Sequence, residues 1–434
     1  MSQEQVIKSL LDTDMYKITM HAAVVKHFPD AVVTYKYTNR SSQLTFNQGA
    51  IDWLRNQISL LGNLRITPEE VEYLQKEIPY LPQSYFDYIK ADAVKLHPEQ
   101  QIDFSVESLG SDNEFNEERF NINLLVHGLW KDTILYEIPL LALVSEAYFK
   151  FVDIDWTYDG QLEQAKEKAQ EMFKHGLMFS EFGSRRRRSY HTQDLIMKGI
   201  MEAVKENPEK NSKLFLGSSN VLFAKRFGVK PVGTVAHEWF MGIASATQDY
   251  VNANKRAMDL WIDTFGSENA GLALTDTFGT DNYLKSFKSP YSDYYIGVRQ
   301  DSGDPTEYTE KIAHHYHDVL GLPKFSKQVC FSDSLNVPKA IEYAKVAHDN
   351  GMLVTFGIGT NLTNDFKLKS NPTVKSEPLN IVVKLLDVNG NPAIKISDNL
   401  GKNMGDQATV DRVKQELGYV ERSWSGDNEA HRWT

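Results

Sequence analysis

Residues 295–305 read Tyr-Ile-Gly-Val-Arg-Gln-Asp-Ser-Gly-Asp-Pro. A short apolar run, Tyr295 to Val298, ends abruptly in arginine, two carboxylates, glycine and proline. That order predicts a buried strand with a polar tip, followed by a helix that starts near Pro305. One such unit says little. Six more lie around it: Leu177–Phe179 before Ser-Glu-Phe-Gly-Ser-Arg, Leu214–Leu216 before Gly-Ser-Ser-Asn, and Val232–Val235 before Ala-His-Glu. Leu272–Leu274 runs into Thr-Asp-Thr, Val329–Phe331 into Ser-Asp-Ser, and Leu353–Phe356 into Gly-Ile-Gly-Thr. Segments between them show helical spacing, as in Leu162, Ala165, Ala169 and Met172, or Leu195, Ile196, Ile200 and Val204. Seven strand–helix alternations predict an α/β fold with a parallel sheet closed into a barrel. An open doubly wound sheet fits the same periodicity. In either arrangement the polar tips gather at the carboxyl ends of the strands, where such folds build their sites.

The flanks read differently. Ala31–Tyr37 and Ile122–Val126 are strand-like, and Thr67-Pro-Glu-Glu opens a helix over Thr67–Lys76. Near the other end, Ile381–Val388 and Ala393–Ser397 flank Asn389-Gly390-Asn391, a hairpin signal. These features predict an N-terminal α+β unit over 1–145, a barrel over 146–364, and a C-terminal segment over 365–434 that packs with the first unit.

Lysine and arginine number 47 against 58 acidic residues, a net charge of −11. An acidic chain is unsuited to coating nucleic acid or an anionic membrane surface. No apolar run has the length of a membrane span, and residues 1–14 lack a signal-peptide core. The expected setting is the cytoplasm, with the nucleus left open. The single cysteine, Cys330, sits between Val329 and Phe331 and is expected to be a buried thiol.

The strand tips supply Arg185, Ser219, His237, Asp276, Arg299, Asp301, Asp304, Asp333, Gly357 and Gly359, a mixture suited to phosphorylated small molecules. Arg299 offers a planar fork for a carboxylate or phosphate. Asp301 can orient hydroxyls or face hydrated Mg²⁺, while one nearby carboxylate caps the following helix. A lone histidine is ordinarily structural, but His237 at a tip, with Asp276 to orient its ring, is a candidate reactive imidazole. Gly357-Ile-Gly-Thr360 is either an ordinary turn or a phosphate cradle. Within Arg185–Arg188, Arg185 is expected to face the pocket and at least one other arginine to form a solvated face.

Together the motifs resemble one family closely. Leu10-Leu-Asp-Thr-Asp-Met-Tyr-Lys17, Glu181-Phe-Gly-Ser-Arg-Arg186, Gly217-Ser-Ser-Asn220, Gly233-Thr-Val-Ala-His237, Thr275-Asp-Thr277, Arg299 to Pro305, and Phe356 to Thr360 look like those of nicotinate phosphoribosyltransferases, fungal ones above all. These are type II phosphoribosyltransferases. The resemblance implies an irregular α/β barrel beside an α+β domain. It also implies an ATP-coupled reaction in which nicotinate and phosphoribosyl diphosphate give nicotinate mononucleotide, with Mg²⁺ entering on the diphosphate and ATP.

Residue by residue, the resemblance makes His237 the phosphoryl acceptor, Asp276 its orienting carboxylate, and Tyr16 and Phe182 the aromatic pair around the pyridine. Ser219 and Arg299 would meet the nicotinate carboxylate. Arg185, Asp333, Gly357, Gly359 and Thr360 would hold the phosphoribosyl group, with Asp301 near the ribose. The implied partners are these small molecules alone, in a monomer or a homodimer. Nicotinamide-using relatives carry aspartate at the position of Ser219. Such an amide-using enzyme, a decarboxylating quinolinate enzyme and a non-catalytic nucleotide sensor are the competing readings. The four consecutive arginines exceed the family's usual pair.

Overall fold

Polar and apolar residues alternate along Val32–Asn39, whereas all four residues of Gly297–Gln300 are buried. The first pattern belongs to a sheet with one wet face, the second to a parallel sheet covered on both sides. A computed structural model contains both, and it describes residues 4–111, 117–398 and 403–420. In chain order the strands are β1 (Val32–Asn39), β2 (Ile102–Ser111), β3 (Glu118–Leu129), β4 (Phe179–Glu181), β5 (Phe215–Ser218), β6 (Leu272–Leu274), β7 (Gly297–Gln300), β8 (Gln328–Phe331) and β9 (Leu353–Ile358). A short pair follows, β10 (Phe366–Lys367) and β11 (Lys375–Ser376), and then β12 (Ile381–Val388) and β13 (Asn391–Pro392).

The parallel sheet has the order β5-β4-β9-β8-β7-β6. Every neighbour in it follows in sequence except β4 and β9, the first and last strands, which pair directly through Ser180↔Gly357 and Glu181↔Ile358. That pairing wraps the sheet into a barrel and excludes the open doubly wound alternative. The barrel has one seam, between β5 and β6. The strand expected at Val232–Val235 would lie there, and it is not a strand. Pro231 has no N–H for a ladder. A Cβ on Gly233 would lie 3.0 Å from the Met15 side chain and 3.1 Å from the Tyr16 amide. The segment therefore makes a single parallel bridge, with Ser218 N donating to Lys230 O and Val232 N donating to Ser218 O. It then runs irregularly to His237.

The antiparallel sheet has the order β13-β12-β1-β3-β2. Its centre is the β1–β12 pair, Lys36↔Lys384 and Tyr37↔Val383 among others, so residues from both flanks share one sheet. The helix Pro68–Glu77 begins at a capping box between Thr67 and Glu70. The hairpin turn is present, with positive φ at both Asn389 and Gly390. Its returning arm is shorter than expected: only Asn391 and Pro392 pair with β12. Ala393 N still donates to Leu386 O at 2.8 Å, and residues 394–397 then leave the sheet for the barrel, where Ile396 N donates to Thr277 O at 2.8 Å.

The arginine run turns two of its four side chains into the core. Arg187 and Arg188 are fully buried, while Arg185 and Arg186 line the central cavity. Arg187 grips both oxygens of buried Asp12 at 2.8 Å. Arg188 lies 3.6 Å over the Phe149 ring and donates to Ser376 Oγ. The extra arginines fasten the N- and C-terminal segments to the barrel. Cys330 is buried as expected, and among the described residues no helix is long and apolar enough to cross a membrane.

Removing Asp12 would leave the Arg187 guanidinium buried without its carboxylate. Asp12→Ala is expected to lower the unfolding free energy in a urea titration by about 3–5 kcal/mol. A loss below about 1 kcal/mol, the range of an exposed pair, would show that the pair is not an anchor.

Candidate active site

A cavity of about 220 Å³ opens at the carboxyl ends of the barrel strands. Of the residues expected at the site, Tyr16, Phe182, Arg185, His237, Arg299, Asp301, Asp333, Gly359 and Thr360 line it, and Ser219, Asp276 and Gly357 do not. Tyr16 comes from the first turn of the helix Met15–His27, and Phe182 from the residue after β4. One chain supplies both aromatic rings. The Tyr16 hydroxyl is buried and has no hydrogen-bond partner among the described residues.

His237 begins the helix His237–Thr247 where the seam segment ends. Its Nδ1 lies 3.0 Å from Thr277 Oγ1. Its Nε2 is met by an acceptor and a donor, Asp301 Oδ2 and Lys395 Nζ, each at 2.9 Å. A protonated Nε2 is satisfied by Asp301 and a bare Nε2 by Lys395. Asp276 is not the hydrogen-bonded orienter: its Oδ1 is 3.7 Å from Nε2, and its Oδ2 accepts from Ser302 and lies 3.5 Å from Lys395. The sequence offers no local signal for Lys395, which arrives on the departing arm of the C-terminal hairpin.

Burial, and then the Lys395 ammonium, push the His237 pKa below its ordinary value against the pull of the two carboxylates. The ring is therefore predominantly neutral near pH 7 and keeps a lone pair. Burial alone would raise Asp301, but Arg299 and His237 outweigh it and hold that carboxyl well below the usual range. His237, Asp276 and Asp301 place potential ligand atoms within 4.8 Å of one another. The Lys395 ammonium already stands among them, so this cluster does not fit a resident metal ion.

Arg299 is less open than expected. Nε donates to Ser332, NH1 to Thr234 Oγ1 and Val235 O, and NH2 to Asp301 at 2.7 Å. Four of the five N–H donors of a guanidinium are engaged, so Arg299 braces Asp301 and presents one N–H instead of a fork. Arg185 is more open than Arg299, with its side chain 42 % exposed and Glu137 3.7 Å away. Ser219 turns its hydroxyl to buried Asp14 at 2.8 Å, behind the cavity wall, and the helix after it is capped by Asn220. Gly357 belongs to β9 and not to a loop. A Cβ there would meet the Phe182 ring at 2.6 Å, and one on Gly359 would meet the Phe182 carbonyl oxygen at 2.8 Å. The two glycines make room for Phe182.

A barrel of this topology with its site at the strand tips is the type II phosphoribosyltransferase fold. A solved Saccharomyces cerevisiae structure of a putative nicotinate phosphoribosyltransferase superposes with a TM-score of 0.95 at 69 % identity, covering 97 % of this chain and all of that one. A Porphyromonas gingivalis nicotinate phosphoribosyltransferase gives 0.82 at 31 %, covering 95 % of this chain and all of its own.

Residues 11–145 match the nicotinate phosphoribosyltransferase N-terminal domain, and 177–421 match the nicotinate phosphoribosyltransferase (NAPRTase) family. The nicotinate phosphoribosyltransferase of Saccharomyces cerevisiae is 71 % identical over 99 % of this chain and 100 % of its own. A probable one from Schizosaccharomyces pombe is 47 % identical over 95 % and 98 %. The chain belongs to the nicotinate phosphoribosyltransferase family.

Lys395→Met removes the cation that opposes protonation of His237, so the imidazole pKa, followed by NMR, should rise. At a fixed pH near neutrality a larger fraction of the ring would then be charged. An unchanged or lowered value would show that Lys395 does not set the state of the ring.

Proposed function

We propose that this cavity joins nicotinate to the phosphoribosyl group of phosphoribosyl diphosphate, and that ATP hydrolysis is coupled to the transfer through a phosphohistidine at His237. The overall reaction takes nicotinate, phosphoribosyl diphosphate, ATP and water to nicotinate mononucleotide, diphosphate, ADP and phosphate. The product is a precursor in NAD salvage by the Preiss–Handler route. The observation that carries this reading is the placement of the His237 ring, whose Nε2 faces Asp301 and Lys395 on the wall of a cavity that also holds Tyr16 and Phe182.

Tyr16 and Phe182 bracket a flat ring, which suits stacking on a pyridine. The pyridine nitrogen supplies its lone pair to the anomeric carbon while the bond from that carbon to the diphosphate oxygen breaks. Positive charge that develops on the ribose is stabilised by Asp301, which Arg299 holds ionised and in place. Arg185 and Lys395 meet anionic groups of the substrates, and Mg²⁺ enters bound to the diphosphate. No proton has to leave the attacking nitrogen, so positioning accounts for most of the work. In the coupled half-reaction a bare His237 nitrogen attacks the γ-phosphorus of ATP and ADP departs. The N–P bond is later hydrolysed to phosphate. Because Ser219 points at Asp14, preference for the acid over the amide is assigned to Arg185.

Labelled ATP should leave acid-labile phosphate on the protein, and His237→Ala should abolish it while a slow, ATP-independent synthesis persists. Undiminished labelling of the variant would reject the phosphohistidine. Separately, Gly357→Ala should displace Phe182 and raise the KM for nicotinate by about tenfold or more, a loss of roughly 1.4 kcal/mol, with a smaller change for phosphoribosyl diphosphate. The opposite ordering would return Gly357 to the phosphate cradle.

A further inference from the structure

One residue after Tyr16, the helix Met15–His27 buries Lys17 completely. A buried ammonium is tolerated only where carboxylates meet it, and two do. Nζ lies 2.6 Å from Glu137 Oε2 and is also bonded to Glu238 Oε2. Glu238 Oε1 accepts from the Tyr35 hydroxyl at 2.6 Å and from Trp130 Nε1 at 2.8 Å. The other oxygen of Glu137, Oε1, is 3.7 Å from Arg185 NH1. Both carboxylates line the cavity. Glu137 starts the helix Glu137–Phe151, and Glu238 directly follows His237. A single lysine behind Tyr16 therefore ties the wall that presents Arg185 to the wall that presents His237.

The charges make this arrangement informative. Two carboxylates beside a site for anions would repel its substrates, and an uncompensated Glu137 would close on Arg185 as a charge-assisted pair. Instead Glu137 is drawn to Lys17, and its separation from Arg185 exceeds a hydrogen bond. We propose that Lys17 is a positioning residue that holds Glu137 away from Arg185 and so reserves the Arg185 guanidinium for the anionic group of a substrate. This role rests on the proposed function only in naming nicotinate as that substrate. The Tyr35 and Trp130 donors keep Glu238 fixed, so the lysine cannot follow Glu137 outward.

The test compares the parent chain, Lys17→Met, Glu137→Gln and the Lys17→Met/Glu137→Gln pair. Initial rates are taken against nicotinate with the other substrates saturating, and calorimetric binding of inorganic diphosphate is measured alongside. Lys17→Met should raise the nicotinate KM about tenfold with a much smaller change in kcat, and should weaken diphosphate binding to a similar degree. The double variant should recover most of both losses, because Glu137 then carries no charge to close on Arg185. A lysine that serves only folding would lower kcat with the fraction of folded protein and leave KM and diphosphate affinity unchanged. That result, or a double variant no better than the single, overturns the proposal. If Lys17→Met does not fold, Glu137→Gln alone decides: its nicotinate KM and diphosphate dissociation constant should fall below the parent's, and unchanged or raised values overturn the proposal. A parent chain that does not use nicotinate would defeat the proposed function, while the diphosphate titration would still decide the role of Lys17.

Discussion

The barrel is closed by backbone pairing everywhere except between β5 and β6. There the segment from Lys230 to Ala236 takes the place of a strand and makes only one bridge, at Ser218↔Pro231. Most of the site depends on that interruption. A regular strand would turn its polar groups into a ladder. The irregular segment instead offers the Thr234 hydroxyl and the Val235 carbonyl to Arg299, seats Gly233 against the start of the helix that carries Tyr16, and ends by presenting His237 at a helix start.

Charge is organised around this seam. Buried ions are stable only with close partners, and Asp301, Lys395 and Lys17 each have two. Asp301 lies between Arg299 and His237, and Lys395 between His237 and Asp276. Lys17 lies between Glu137 and Glu238. Such a chain fixes side-chain positions before any substrate enters, and preorganised charges act more strongly than mobile ones. The pairing also decides which cation is available, because Arg299 is largely consumed within the protein and Arg185 is not.

Much of this was legible in the sequence, because short apolar runs ending in chemistry-bearing residues are what a parallel barrel requires. The tips of β4, β7, β8 and β9 bring Phe182, Arg185, Arg299, Asp301, Asp333, Gly359 and Thr360 to one cavity, together with His237. The errors have specific causes. Val232–Val235 has strand composition, but Pro231 and Gly233 forbid the ladder. Arg187 and Arg188 carry charge that would ordinarily be solvated, and only tertiary partners such as Asp12, 175 residues away in sequence, make their burial possible. The contact that a Cβ at Gly357 would make with the Phe182 ring is likewise invisible in the sequence. Lys395 lies in the hairpin segment Ala393–Ser397, and neither it nor Glu137 sits at a strand tip, so nothing local marks either as a site residue.

The proposed reaction transfers a phosphoribosyl group to an acidic pyridine, with ATP coupled through the protein. The most direct measurement follows purified protein incubated with phosphoribosyl diphosphate and either nicotinate or nicotinamide, with and without ATP, quantifying mononucleotide, diphosphate and ADP together. Nicotinate mononucleotide and diphosphate are expected in equal amounts, with faster formation in the presence of ATP accompanied by ADP, and with little product from nicotinamide. Equal use of both pyridines, or mononucleotide formation that ATP neither accelerates nor accompanies with ADP, would contradict it.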